Sequence, residues 1–183
     1  MNFLKGLMFL GLTLAAGFVI FAVFDFRLAI IFAFLWIDKI IISAFGAVRY
    51  FGVELTTVLG VILAMLYGPW FAFIFLLFLI PFLHAFKYLF LPLPQPEWPL
   101  FVPSPYNIVD ALGALVAGFL TPFSFLIKVF ITAVAKDIFF AFAEKFMISK
   151  PVDILSAVTS VVFNMLVGYP FGLFVLALIQ GTA

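Results

Sequence analysis

Residues 55–91 read LTTVLGVILAMLYGPWFAFIFLLFLIPFLHAFKYLFL, an apolar run of 37 residues broken only by Gly68-Pro69 and a few polar side chains. A helix rises 1.5 Å per residue and a bilayer core is about 30 Å thick, so one span takes about 20 residues. The run is too long for one span. Proline removes a backbone donor and disfavours helix in the residue before it. Gly68-Pro69 therefore divides the run into a short helix, 55–67, and a longer one, 70–90. The alternative is a single kinked, tilted span, which would reverse the orientation of everything downstream.

Working outward, the same grammar repeats. Towards the N-terminus an apolar stretch covers 3–24, ends at Asp25-Phe26-Arg27, and resumes over 28–48 with Asp38-Lys39 near its middle. Arg49 to Glu54 reads as a loop. Residues 3–24 carry Lys5 and small residues at Ala15, Ala16 and Gly17, as a signal peptide would. The run is long enough to span, however, and Leu14 is a poor fit to the small-x-small rule, so it reads as a retained helix. Towards the C-terminus comes LPLPQPEWPLFVPSP, residues 91–105, whose six prolines forbid a regular helix. Its aromatics suit headgroup level. Asn107 is placed to cap a helix over 108–120, with Asp110 in its first turn, where the helix dipole favours a carboxylate. Thr121-Pro122 ends that helix. Further helices are expected over 123–147 and 154–180, the last with a kink near Gly168-Tyr169-Pro170.

Composition agrees. Of 183 residues, 68% are hydrophobic and 9% charged, and mean hydropathy is +1.39. A soluble domain carries roughly 25% charged residues. The expected architecture is all-α: a polytopic transmembrane bundle of six or seven helices in the cell membrane, forming one domain over 1–183. The net charge of +1 offers no basic stripe for nucleic acid. No cysteine is present and histidine occurs once, at His84, so thiolate and histidine-cluster metal sites are excluded. No nucleophile elbow, phosphate-binding loop or zinc-protease motif occurs, so neither an enzyme nor a cofactor is expected. With seven spans, Lys5, Arg49, Lys87, Lys145 and Lys150 collect on one side against Arg27 on the other. The positive-inside rule then sets the N-terminus in the cytoplasm.

Charges at membrane depth are costly and mark sites by default. Adjacent helical residues point about 100° apart, so Asp38 and Lys39 are each expected to find partners on other helices. Lys128, Thr132 and Lys136 share one face at i, i+4 and i+8, with Asp137 and Glu144 on the next. Ser156, Ser160 and Asn164 repeat that spacing, as a hydrogen-bond seam or as one wall of a polar cavity.

Residues 27–179 resemble the substrate-binding S components of energy-coupling factor (ECF) transporters, with 1–26 as an extra helix before a six-helix core over 27–183. The resemblance rests on Ala29 and Ala33, spaced like the alanine face that meets the coupling subunit. It rests also on GVELTTVLGVILAMLYGPWFAFIFLL, which looks like the family's second helix, Gly-Pro turn and third helix. VPSPYNIVDALGALVAGFL is similar to its fourth helix, with a small-residue face at Gly113, Ala117 and Gly118. The resemblance implies a vitamin-like, anionic solute at the outer face. Asp38, Lys39, Lys128, Lys136 and Asn164 would hold it under the proline-rich loop, and separate ATPases and a membrane coupling subunit would be the partners. Rod-shape membrane proteins of the MreD type have a related layout and imply a non-catalytic scaffold instead.

Overall fold

A computed structural model describes residues 3–45, 52–94, 96, 98–149 and 151–181. Among them the chain is all-helical, with no strand and seven helices. Helix α1 covers Phe3–Phe24, and α2 covers Phe26–Trp36 and runs on through a π turn, Ile37–Ile41, and a 3-10 turn, Ile42–Ala44. Helix α3 is Thr56–Tyr67, α4 is Pro69–Phe90, and α5 is Pro105–Phe119. Helix α6, Phe125–Ala143, ends in a π turn over Glu144–Ile148, and α7 spans Ile154–Gln180 with a π turn at Asn164–Gly168. Leu4–Phe24, Pro69–Phe90 and Ile154–Gln180 are each long and apolar enough to cross a membrane. Arg49 and Lys150, used in the orientation count, lie outside the described residues.

Gly68-Pro69 reverses the chain. Gly68 sits at φ 88°, ψ 165°, a region essentially closed to residues with a Cβ, and Pro69 starts α4 where its missing N–H costs nothing. Because α4 returns, Glu54 before α3 and Tyr88 near the end of α4 line one cavity. At the opposite end, Tyr67 donates to Asp25 Oδ2 at 2.7 Å. The division into two helices is therefore a hairpin, not a kinked span. Gly68→Ala should cost about 1–3 kcal/mol, read as a lowered denaturant midpoint in mixed micelles. An unchanged midpoint would mean that the turn tolerates a side chain.

The short α3 occupies the middle of the bundle. Every residue from Thr56 to Ala64 is buried, and α2, α4, α5, α6 and α7 all pack on it. That stretch need not be amphipathic, because none of its faces meets the outside; exposure begins only at Met65 in the last turn. The small-residue face of α5 is used inside the chain. A Cβ on Gly118 would lie 2.6 Å from the Pro69 Cα, and one on Gly113 would run into the Lys136 stem. Such close approach is how helices associate where lipid replaces water. Helix α1 is the outlier, largely exposed and packed mainly on α2 and α4.

One local expectation is corrected. Ser104, not Asn107, caps α5, accepting from the Asn107 backbone N–H at 3.3 Å, and Pro105 takes the first helical position. Asp110 consequently sits in the second turn, away from the dipole, and is buried. The bend expected at Gly168-Tyr169-Pro170 is a π turn ending at Gly168 with the helix continuing beyond it. The register shift accommodates the donor that Pro170 lacks.

In the turn between α1 and α2, Arg27 binds Asp25 through its backbone N–H at 2.9 Å and its guanidinium at 2.8 Å. The Arg27 side chain, opposed by desolvation and aided by Tyr67, holds the Asp25 carboxyl down at about 2, below its ordinary 3.8. A depressed carboxylate contributes stability above its unfolded value and loses it as pH falls through the folded one. Stability of the α1–α2 turn should therefore decline between pH 3.8 and about 2, and Asp25→Asn should flatten that stretch of an unfolding-versus-pH curve. A wild-type curve already flat there would remove the Asp25 contacts from the account.

Candidate functional site: a buried charge cluster beside a polar cavity

Two helices rich in charge fail a simple apolar count, and their charges meet. Lys39 of α2 reaches Asp110 Oδ2 of α5 at 3.0 Å and Glu54 Oε2, just before α3, at 3.1 Å. Lys136 of α6 reaches Asp110 Oδ1 at 2.7 Å, Thr57 Oγ1 at 2.9 Å, and Glu54 Oε1. Two carboxylates thus bridge two ammoniums contributed by four separate segments. Gly113, one turn beyond Asp110, leaves room for the aliphatic stem of Lys136 to lie against α5. That stem packing carries the ammonium to its partners.

Asp38 completes the cluster in another way. Its carboxylate accepts from the Leu55 N–H at 2.8 Å and from Thr56 Oγ1 at 2.5 Å, capping α3 from a neighbouring helix. Helix N-termini have unsatisfied donors and a positive field, so a carboxylate is favoured there. Lys39 Nζ lies 3.7 Å from Asp38 Oδ2, longer than its bonds to Asp110 and Glu54. The expectation that Asp38 and Lys39 would each find partners elsewhere matches this geometry. The π turn over Ile37–Ile41 sits under both residues.

A cavity of about 1040 Å³ opens beside the cluster. It lies where α2, α4 and α6 end and where α3, α5 and α7 begin, so it occupies one end of the bundle. The proline-rich loop runs over it. Trp98 and Phe101 line it, and Phe101 is held on Phe82 and Phe86 with ring centroids 5.4 and 6.3 Å apart. His84 also lines the cavity. Lys87, buried at its edge, donates to Ser43 Oγ at 2.9 Å.

The residues expected to hold a solute divide three ways. Asp38 and Lys39 line the cavity. Lys136 lies behind its wall, bound to Glu54 and Asp110. Lys128 and Asn164 are buried but are not among the lining residues. Lys128 is two helical turns from Lys136, and the Asn164 amide nitrogen donates to the Ser160 carbonyl of its own helix at 2.9 Å. Of the lysines expected to meet an anion, Lys39 and Lys136 already have carboxylate partners within the chain. Of the polar stripe on α7, Ser156 and Ser160 line the cavity. Ala29 has no exposed surface, and Ala33 is half-buried.

Glu54, Asp110 and Thr57 were not expected at the site. A usable signal existed for the two carboxylates: lysines at membrane depth require counter-charges, and Glu54 and Asp110 stand near the starts of apolar runs. Among the described residues no group of three potential ligands is placed to hold a metal ion.

Comparison with protein-family models, with curated proteins and with solved structures gives no match.

Proposed function

We propose that this chain is a multi-pass membrane protein of the cell membrane that binds a small solute in the cavity at one end of its bundle, as a transporter subunit. The observation that carries the reading is the cavity itself. At about 1040 Å³ it matches the upper end of small-molecule sites, roughly 300–1,000 Å³. Its walls come from most of the helices, and an aromatic, proline-stiffened loop lies across it. Solute movement would be driven by separate ATPases and a coupling subunit of the kind the ECF resemblance implies.

Lys5, Lys87 and Lys145 fall at the cavity end, against Arg27 at the other, so the positive-inside rule sets the mouth towards the cytoplasm. An uptake subunit releases solute on that side. A second reading, a non-catalytic scaffold of the MreD type, is favoured by the way Lys39, Lys136, Glu54 and Asp110 satisfy one another within the chain.

Native mass spectrometry of the protein extracted gently from its own membranes separates the two. The transporter reading expects a retained molecule of a few hundred daltons, or co-purifying ATPase and coupling subunits. A ligand-free chain bound to structural or biosynthetic membrane proteins would overturn it in favour of the scaffold.

A further inference from the structure

We infer that the solute of this cavity is a small organic cation, an amine, seated on the Asp137–Glu144 wall of α6 among the aromatic side chains of the lining. The inference rests on the solute-binding reading above and adds the chemical class of the ligand. The first ground is the charge of the walls. Among the described residues, Asp38, Glu54, Asp110, Asp137, Glu144 and Asp153 line the cavity, against Lys39 and Lys87 as the lysines. Adding Lys136, behind the wall, still leaves carboxylates ahead by three. Lys39 and Lys136 are engaged by Glu54 and Asp110, and Lys87 by Ser43 and the Tyr88 ring, 5.0 Å from its Nζ. An anion would enter a field of excess negative charge with these ammoniums already bound. A cation would relieve that field.

The second ground is an unsatisfied acceptor. Asp137 lines the cavity, and its Oδ2 is buried with no hydrogen-bond partner. Buried polar atoms are almost always paired in native proteins, so an orphaned carboxylate oxygen in a cavity wall marks a place for a donor. Glu144, seven residues on, is on the same side of α6 and also lines the cavity. The third ground is the aromatic lining: Tyr88, Trp98 and Tyr106 share the cavity with the two carboxylates, and Tyr106 packs on Phe140, which lies between them on α6. Aromatic faces attract ammonium groups, and carboxylates with aromatics are the usual walls of an amine site.

The test is equilibrium binding to the full-length protein in nanodiscs. The probes are primary amines, diamines and quaternary ammonium compounds, set beside carboxylates and polyols of matched size. Saturable binding of amines, weakened at least about tenfold by Asp137→Asn without loss of thermal stability, is the expected result; losing one charge-assisted hydrogen bond accounts for that factor. Should Asp137→Asn fail to fold, Glu144→Gln reads the same wall. Binding of carboxylates or polyols in preference to amines would overturn the cationic assignment and leave the solute-binding reading standing. Binding of none of the three classes would overturn both.

Discussion

Replacing Asp110 by alanine should destabilise the bundle by about 3–5 kcal/mol, the range for breaking a buried ion pair and stranding its partner. Asp110 touches Lys39 at 3.0 Å and Lys136 at 2.7 Å, and all three side chains are nearly inaccessible. Without it, Glu54 alone bridges two ammoniums, and their mutual repulsion is felt in a medium of low dielectric. The double variant Asp110→Leu/Lys136→Met should cost clearly less than the sum of the two single changes. It removes one charge of each sign and fills the space with apolar volume. Unfolding by denaturant titration in mixed micelles measures both. A single-variant loss below about 1 kcal/mol, typical of solvated pairs, would mean that the cluster is open to water.

The second large effect is steric. Gly118→Val should lower stability by about 3 kcal/mol, the upper end for forcing volume into a packed interior. A Cβ at Gly118 would meet the Cα of Pro69 at 2.6 Å and its backbone N at 2.9 Å. Backbone at the start of α4 cannot turn aside as a flexible side chain can. The damage should spread, because α5 packs on α3, α4 and α6. Gly11→Ala is the control: a Cβ there has nothing within 4 Å, and a change within about 0.5 kcal/mol is expected. Equal effects at the two positions would remove the close α4–α5 contact from the account.

Much of this fold was legible because membrane-like helices declare themselves through length and punctuation. The Gly68-Pro69 break, the proline-rich loop over 91–105 and the Asp25 turn each fell where the backbone requires them. Errors arose where local chemistry offers equivalent choices. Ser104 and Asn107 are both good caps three residues apart, and choosing Asn107 shifted the helix start and placed Asp110 in the wrong turn. The shared face of Lys128, Thr132 and Lys136 was readable from spacing, and all three are buried. What spacing does not encode is which neighbour that face meets. Lys136 finds Glu54 from 82 positions away, and Lys128 two turns distant joins neither the cluster nor the cavity lining. The cavity was invisible for a related reason. Its walls come from helix ends distributed along the chain, and only packing decides whether such ends close on one another or leave space.

This end of the bundle holds an accessible, polar cavity rather than a filled seam, and the absence of cysteine from the chain makes a direct measurement possible. Single cysteines are introduced at Ser156, which lines the cavity, and at Val58, which is fully buried in α3. Each variant is then exposed to a membrane-impermeant maleimide, from outside in intact cells and from the cytoplasmic face in inverted vesicles. The account predicts rapid labelling of Ser156→Cys in inverted vesicles, none in intact cells, and none of Val58→Cys from either side. Failure of Ser156→Cys to react from both sides, in a folded protein, would contradict it, because a seam closed by helix packing would then stand where the cavity is placed.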